Sequence, residues 1–208
     1  MDLGEQNRIG ILGGTFNPVH VGHLILAQCA FESLDLSRVL FVPCAVPPHK
    51  DPHPLLPARH RLAMIESAVE GDLRFEVTDI EIRREGVSYA IDTVSQLRKD
   101  HPDAALFFII GSDTLRELRA WKRIDALLSL CTFATFARPG FDFGDMDVHS
   151  LGLSGPGAER LMRNITAGRQ IEISSSDIRY RIAEGMSIRY LVPPSVEMYI
   201  IEHGLYRT

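Results

Sequence analysis

Two histidines and a pair of glycines carry the chemistry for which this chain is best equipped. Gly13 and Gly14 leave a short apolar run, Ile9 to Leu12, and Thr15-Phe16-Asn17-Pro18-Val19 leads from them to His20-Val21-Gly22-His23. A glycine pair at a strand end lets the backbone approach a ligand without a Cβ in the way. The apolar stretch Leu24 to Phe31 reads as a helix, whose start offers free N–H groups and a positive dipole end suited to phosphate. His20 and His23 stand three residues apart, so at a helix start both can face one side. Imidazole donors beside a phosphate cradle predict chemistry at a phosphorus centre. Taken singly the parts are ambiguous, since Gly-Gly after a strand is often a plain turn and His-x-x-His also suits packing or a metal. No third ligand stands nearby, so a metallohydrolase centre is not expected and no protein-held metal site is predicted.

The rest of the chain supplies the elements that must hold this stretch. Ile9–Leu12, Arg38–Val42, Arg74–Val77, Ala104–Ile110, Cys131–Ala137 and Gln170–Ile173 read as strands, and Asp79–Arg84 continues the third with alternating Ile80 and Ile82. Helical spacing marks Arg59–Val69 (Leu62, Ile65, Ala68, Val69), a helix carrying Val94 and Leu97 into which Ser88–Thr93 leads and which stops before Pro102, Thr114 toward Trp121, Ile124–Leu130, a helix from Ser174 to Gly185, and a last one opened by Pro193-Pro194. Strands alternate with helices, so the predicted fold is α/β, a doubly wound parallel sheet with helices on both faces. Residues 1–208 are expected to form a single domain, with a small C-terminal helical part over about 174–208. Residues 141–168 carry glycines and little strand pattern, and predict no element.

Several of these strand ends carry polar groups where open α/β sheets place ligands. After Val42, six prolines (43, 47, 48, 52, 54 and 57) preclude regular structure, and Lys50 within that loop offers a cation to a phosphate or simply to water. Asp113 follows the apolar run ending at Ile110, where a carboxylate suits ribose hydroxyls and a helix cap suits Ser112 or Asp113 equally. Ser174-Ser175-Ser176-Asp177 is rich in caps, and its hydroxyls with Arg179 could hold a second phosphate. Trp121, the single tryptophan, has Arg119, Lys122 and Arg123 as neighbours, which suits a loop over the ligand edge better than a core.

Composition narrows the classes. The 208 residues are 45% hydrophobic and 24% charged, ordinary for a globular domain. A net charge of −5 argues against a general nucleic-acid surface but leaves room for local phosphate sites. Cys29, Cys44 and Cys131 are far apart in apolar stretches, which predicts reduced core thiols. Met1 to Glu5 lacks a basic region followed by an apolar one, and no apolar run reaches membrane-spanning length. A cytoplasmic protein with no membrane partner is expected, and a homo-oligomer is left open.

The stretch Gly13 to His23 resembles, without gaps, the signature G-G-x-F-[DN]-P-x-H-x-G-H of the adenylyl- and cytidylyltransferase superfamily. Further segments resemble bacterial nicotinate mononucleotide adenylyltransferases over nearly the whole chain. These are Pro47-Pro48-His49-Lys50, Ser88 to Thr93, Ile110 to Asp113 with Trp121, Arg138-Pro139-Gly140, Ile173 to Arg179, Tyr190 to Pro193 and Gly204-Leu205-Tyr206. The resemblance implies a Rossmann-like sheet and coupling of ATP with nicotinate mononucleotide, with Mg²⁺, to give nicotinic acid adenine dinucleotide and pyrophosphate in NAD biosynthesis. It implies catalytic roles for His20, His23 and Arg179. ATP would meet Gly13, Gly14, Thr15, Phe16, His20, His23, Ser174, Ser175, Ile178 and Arg179. The mononucleotide would meet Lys50, Tyr89, Ala90, Asp113, Trp121, Lys122 and Arg138, with backbone N–H groups near Trp121 and Ser88–Ala90 facing its carboxylate. Ala90 stands where that family usually has threonine and Ser176 where threonine is common. Alternative readings are a sister transferase, of the pantetheine-phosphate adenylyltransferase or cytidylyltransferase kind, and a non-catalytic nucleotide-binding module. Class I tRNA synthetases share His-x-Gly-His, but 208 residues leave no room for their anticodon-binding parts.

Overall fold

The computed structural model describes residues 7–48, 55–138, 144, 146–166, 168–169 and 171–207. Six parallel strands form one sheet in the order β3-β2-β1-β4-β5-β6. They are β1 (Arg8–Gly14), β2 (Arg38–Pro43), β3 (Phe75–Val77), β4 (Ala105–Gly111), β5 (Thr132–Phe136) and β6 (Ile165–Thr166). The strand order reverses between β1 and β4, which pair directly with Ile11 opposite Phe108. That reversal opens a crevice at the carboxyl ends, where a doubly wound sheet takes its ligand.

Each central strand is apolar on both faces because helices cover both. Ile9, Ile11, Leu106 and Phe108 face one core layer with α4 (Ala90–Asp100), α5 (Ile124–Leu130) and α6 (Gly155–Arg163). Leu12, Phe41, Phe107 and Ile109 face the other, with α1 (Val21–Ser33) and α2 (Ala58–Val69). Ile178 of α7 (Ser175–Ala183) and Val196 and Ile200 of α8 (Pro194–Glu202) join this second layer. The C-terminal helices are therefore packed into the sheet's own core. Among the described residues no helix is long and apolar enough to cross a membrane.

Four expectations are corrected. Asp79–Arg84 is not strand: Ile80–Arg84 forms a short helix, α3, with Asp79 at its N-cap and Ile80 and Glu81 buried. The spacing of two isoleucines does not separate the two states over so few residues. Residues 171–173 carry no strand, and the sheet ends instead on Ile165–Thr166, with Ile165 paired to Thr135. The unassigned stretch 141–168 contains α6, whose Ser154-Gly155-Pro156 start matches the preference for proline in the first turn. On α2 the buried face is Arg61, Met64, Ile65 and Val69, so an arginine rather than Leu62 begins the inward stripe.

Candidate active site

The site is assembled around the turn from β1 into α1. Gly13 and Gly14 have no positive φ here; they keep the strand end bare, and Gly13 is exposed. His20 is the N-cap of α1 in extended backbone, and its N–H donates to His23 Nδ1 at 3.2 Å. Because Nδ1 of His23 must accept that bond, neutral His23 carries its proton on Nε2. The two imidazoles stack with centroids 3.7 Å apart, and the Phe16 ring meets His23 edge-on at 4.9 Å. Gly22 keeps the flank of the stack open: a Cβ there would lie 3.0 Å from His20 Nδ1 and 3.1 Å from its Cε1.

Both imidazoles are held neutral. His20 is only 4% exposed, and burial, helped by the Arg138 guanidinium, lowers its pKa from 6.5 to about 4. Burial, then the neighbouring His20 and Arg138, holds His23 well below its ordinary value. His20 Nδ1 is buried with no hydrogen-bond partner among the described residues. A buried polar atom left without a partner is costly, and such an atom beside a recess is a group that a ligand can satisfy.

A cleft of about 580 Å³ opens at the carboxyl ends of β1, β2 and β4, a size typical of ligand sites. Gly13, Gly14, Thr15, His23, Tyr89, Ala90, Asp113, Trp121, Lys122 and Arg138 all line it. A smaller recess of about 40 Å³ lies beside it, lined by His20, Gly22, Cys29, Gly111, Arg138 and Gly168 among others. Arg138 borders both. Its Nε is 3.4 Å from Asp113 Oδ1, and its N–H donates to Ser112 Oγ at 3.0 Å. Gly111 leaves space for that pair, since a Cβ there would fall 2.5 Å from Asp113 Oδ1 and 2.7 Å from Arg138 Nε. Ser112 is fully buried and pins the exit of β5, so it neither caps the 3-10 helix Ser112–Ala120 nor meets a ligand.

The far wall carries the aromatic groups. Trp121 ends the 3-10 helix and is half-buried, packed edge-on against Phe108 at 5.7 Å and Phe133 at 6.1 Å. It therefore belongs partly to the core as well as to the cleft. Its own N–H donates to Leu118 O at 3.0 Å and is not free for a carboxylate. Tyr89 is the N-cap of α4, so the first N–H groups of that helix open at Ala90. Lys122 Nζ lies 3.3 Å from Asp92 Oδ2 and 4.1 Å from the Tyr89 ring centroid. The Ser88 turn is tied to the β2 exit, with Ala45 N–H donating to Ser88 Oγ at 2.9 Å and Ser88 N–H to Val46 O at 2.8 Å.

The remaining expected residues fall elsewhere. Ser174 caps α7 by accepting from Asp177 N–H at 3.1 Å, Ser175 Oγ donates to Pro18 O at 2.8 Å, and Arg179 NH1 donates to Asn17 O at 2.9 Å. None of the three lines the cleft or the recess. Ile178 and Phe16 have buried side chains in the second core layer, and Ile178 N–H is spent on Ser174 O at 3.1 Å. Ile178 thus presents no free group to ATP. Lys50 lies outside the described residues.

Two residues were missed. Arg61 is fully buried, donating to Thr15 O at 2.8 Å, Leu56 O at 3.0 Å and Ala45 O at 3.2 Å. It joins the loops after β1 and β2 directly behind the cleft. An arginine at i with Met64 and Ile65 at i+3 and i+4 is the signal that could have found it. Glu81 is a buried carboxylate that lines the cleft and accepts from the Thr93 hydroxyl. The alternating Ile80 and Ile82 on either side of it read as strand. Among the described residues no group of three His, Cys, Asp or Glu could hold a metal ion.

The chain resembles known proteins over almost its whole length. Residues 11–181 match the family described as cytidylyltransferase-like. It is 47% identical over 204 residues to the "Probable nicotinate-nucleotide adenylyltransferase" of Halalkalibacterium halodurans, covering 98% of this chain and 93% of that one. A protein of the same name from Thermomicrobium roseum is 42% identical with the same two coverages. Among solved structures, the Plasmodium falciparum nicotinic acid mononucleotide adenylyltransferase complexed with NaAD superposes with a TM-score of 0.76 at 19% identity, covering 97% of this chain and 98% of that one.

Proposed function

The chain belongs to the cytidylyltransferase-like family and, within it, to the nicotinate-nucleotide adenylyltransferases, and on that premise we propose how its residues carry out the transfer. The reaction joins ATP and nicotinate mononucleotide into nicotinic acid adenine dinucleotide and pyrophosphate. A 5′-phosphate oxygen of the mononucleotide attacks the α-phosphorus of ATP in line. One P–O bond forms and the bond from the α-phosphorus to the bridging oxygen breaks, releasing pyrophosphate. The attacking phosphate is already anionic, so no protein base and no covalent intermediate are needed. Positioning two anions and stabilising the charge that builds between them is the whole task.

The observation that carries this reading is the pair of neutral stacked imidazoles beside Arg138, between the cleft and the recess at the β1/β4 reversal. His20 and His23 act as hydrogen-bond donors to the phosphates of ATP, His20 at the α-phosphate. Neutral imidazoles suit this role because they donate without holding the product's pyrophosphate as a cation would. Arg138, bordering both spaces, neutralises charge shared by the two substrates. Arg179 supports the reaction from behind, through Asn17 O. Mg²⁺ bound with ATP would supply charge neutralisation on the triphosphate. Asp113 is the strand-end carboxylate within reach of ribose hydroxyls. Trp121 stacks on the pyridine ring, and the first-turn N–H groups at Ala90 meet the ring carboxylate, with Lys122 adding positive charge nearby. N–H donors facing the ring substituent at the start of α4 disfavour the amide, whose NH₂ would meet them. The whole chain acts as one cytoplasmic nucleotidyltransferase domain, its C-terminal helices included.

Pyrophosphate release with ATP and either the acid or the amide mononucleotide tests this. The acid form should be used with much the higher kcat/KM. Equal efficiency on both would refute the selectivity, and release with neither would refute the assignment of the site.

A further inference from the structure

The loop from Thr15 to His20 is held largely from outside. Arg61 binds Thr15 O, Ser175 binds Pro18 O, Arg179 binds Asn17 O, and Val21 N–H donates to Leu191 O at 2.9 Å. One further partner comes from the far end of the chain. The Tyr206 hydroxyl donates to Asn17 Oδ1 at 3.0 Å, across 189 positions. Asn17 is 1% exposed, and the same oxygen takes Leu56 N–H only at a longer 3.4 Å.

Tyr206 is built for this contact. It sits at φ 62°, left-handed backbone that costs a residue with a Cβ on the order of 1–2 kcal/mol. The segment nonetheless stays there, anchored by buried Leu205, whose N–H donates to Ile200 O at 3.0 Å. Burial raises the pKa of the hydroxyl, against the opposing pull of the Arg179 and Arg61 guanidiniums, so it remains a protonated donor over the working range. Strain held in place by surrounding packing, on a residue that touches the signature loop, is the pattern of a functional constraint.

We infer that Tyr206 is a positioning residue for adenylyl transfer, orienting Asn17 so that the three peptide units that follow deliver His20 to the reacting phosphate. This rests on the reaction proposed above. Tyr206 touches no substrate; it acts through Asn17 on the placement of His20. A small loss of alignment at a reacting centre is expensive in rate.

The test is Tyr206→Phe, which removes one oxygen and keeps the ring. Pyrophosphate release by the full chain is measured with ATP and nicotinate mononucleotide, with kcat expressed per folded molecule from far-UV circular dichroism. The expected result is a fall in kcat of roughly tenfold, as for a modest misplacement, with KM for ATP nearly unchanged. In a His20→Ala background the same substitution should have almost no further effect, because the group it positions is gone. An unchanged kcat, a loss accounted for by unfolding, or a loss that adds fully to that of His20→Ala would overturn the inference. Inactivity of the unsubstituted chain would instead refute the reaction itself.

Discussion

Replacing His20 with alanine should separate catalysis from binding and also change how stability depends on pH. A donor lost from developing charge costs roughly 2.7–4 kcal/mol, or about 10²–10³ in kcat. Here the lower end is expected, because the recess of about 40 Å³ beside His20 lets water into the space left behind. Gly13, Gly14, Thr15 and His23 remain at the cleft, so KM for ATP should move far less than kcat. The stability effect follows from the imidazole's burial. Its pKa is about 4 in the fold against 6.5 unfolded, so the folded state binds the proton less well. The contribution is fully present above pH 6.5 and is lost as pH falls toward 4, by about 3 kcal/mol in all. Urea unfolding from pH 7.5 to 4 should therefore show wild type losing stability on the acid side, and His20→Ala losing less. His23, which remains, keeps part of the slope. Steady-state pyrophosphate release at pH 7.5 supplies the kinetic half. A variant that keeps most of its kcat would refute the role of His20 at the α-phosphate, and parallel stability curves would refute the claim that it is held neutral.

Trp121→Ala should raise KM for the mononucleotide by roughly 5- to 150-fold, the equivalent of about 1–3 kcal/mol of stacking, while leaving KM for ATP nearly unchanged; an unmoved mononucleotide KM would refute the stacking. Gly22→Ala should lower kcat, because the new Cβ, 3.0 Å from His20 Nδ1, pushes the His20 ring out of place. Full activity in that variant would show that the imidazole stack is dispensable. Arg61→Met should cost about 3 kcal/mol in urea unfolding, since three carbonyls lose their donor; a loss under about 1 kcal/mol would mean that removing a buried charge offsets the broken bonds.

Local chemistry determined much of this protein. The apolar runs Ile9–Leu12 and Ala104–Ile110 became β1 and β4 because strands buried on both faces need no polar alternation. Gly13 to His23 announced a strand-turn-helix cradle, since the residue types needed at each point are adjacent in the chain. Asp113 and Trp121 could be placed at the ligand edge from their position at and beyond a strand end, but that Tyr89, Ala90, Lys122 and Arg138 share the same cleft came from a resemblance; periodicity could not have placed them there. Short segments escaped, as Ile80–Arg84 and Ile165–Thr166 show, because five or two residues hold too little pattern to outvote tertiary packing. Only the folded chain decided what Arg61, Arg179, Ser175 and Tyr206 do. Each bonds a backbone or side-chain oxygen 46 to 189 positions away, and an acceptor carbonyl has no residue type to read. The neutrality of His20 and His23 is tertiary for the same reason. It comes from burial and from Arg138, which the sheet brings beside them from the end of β5.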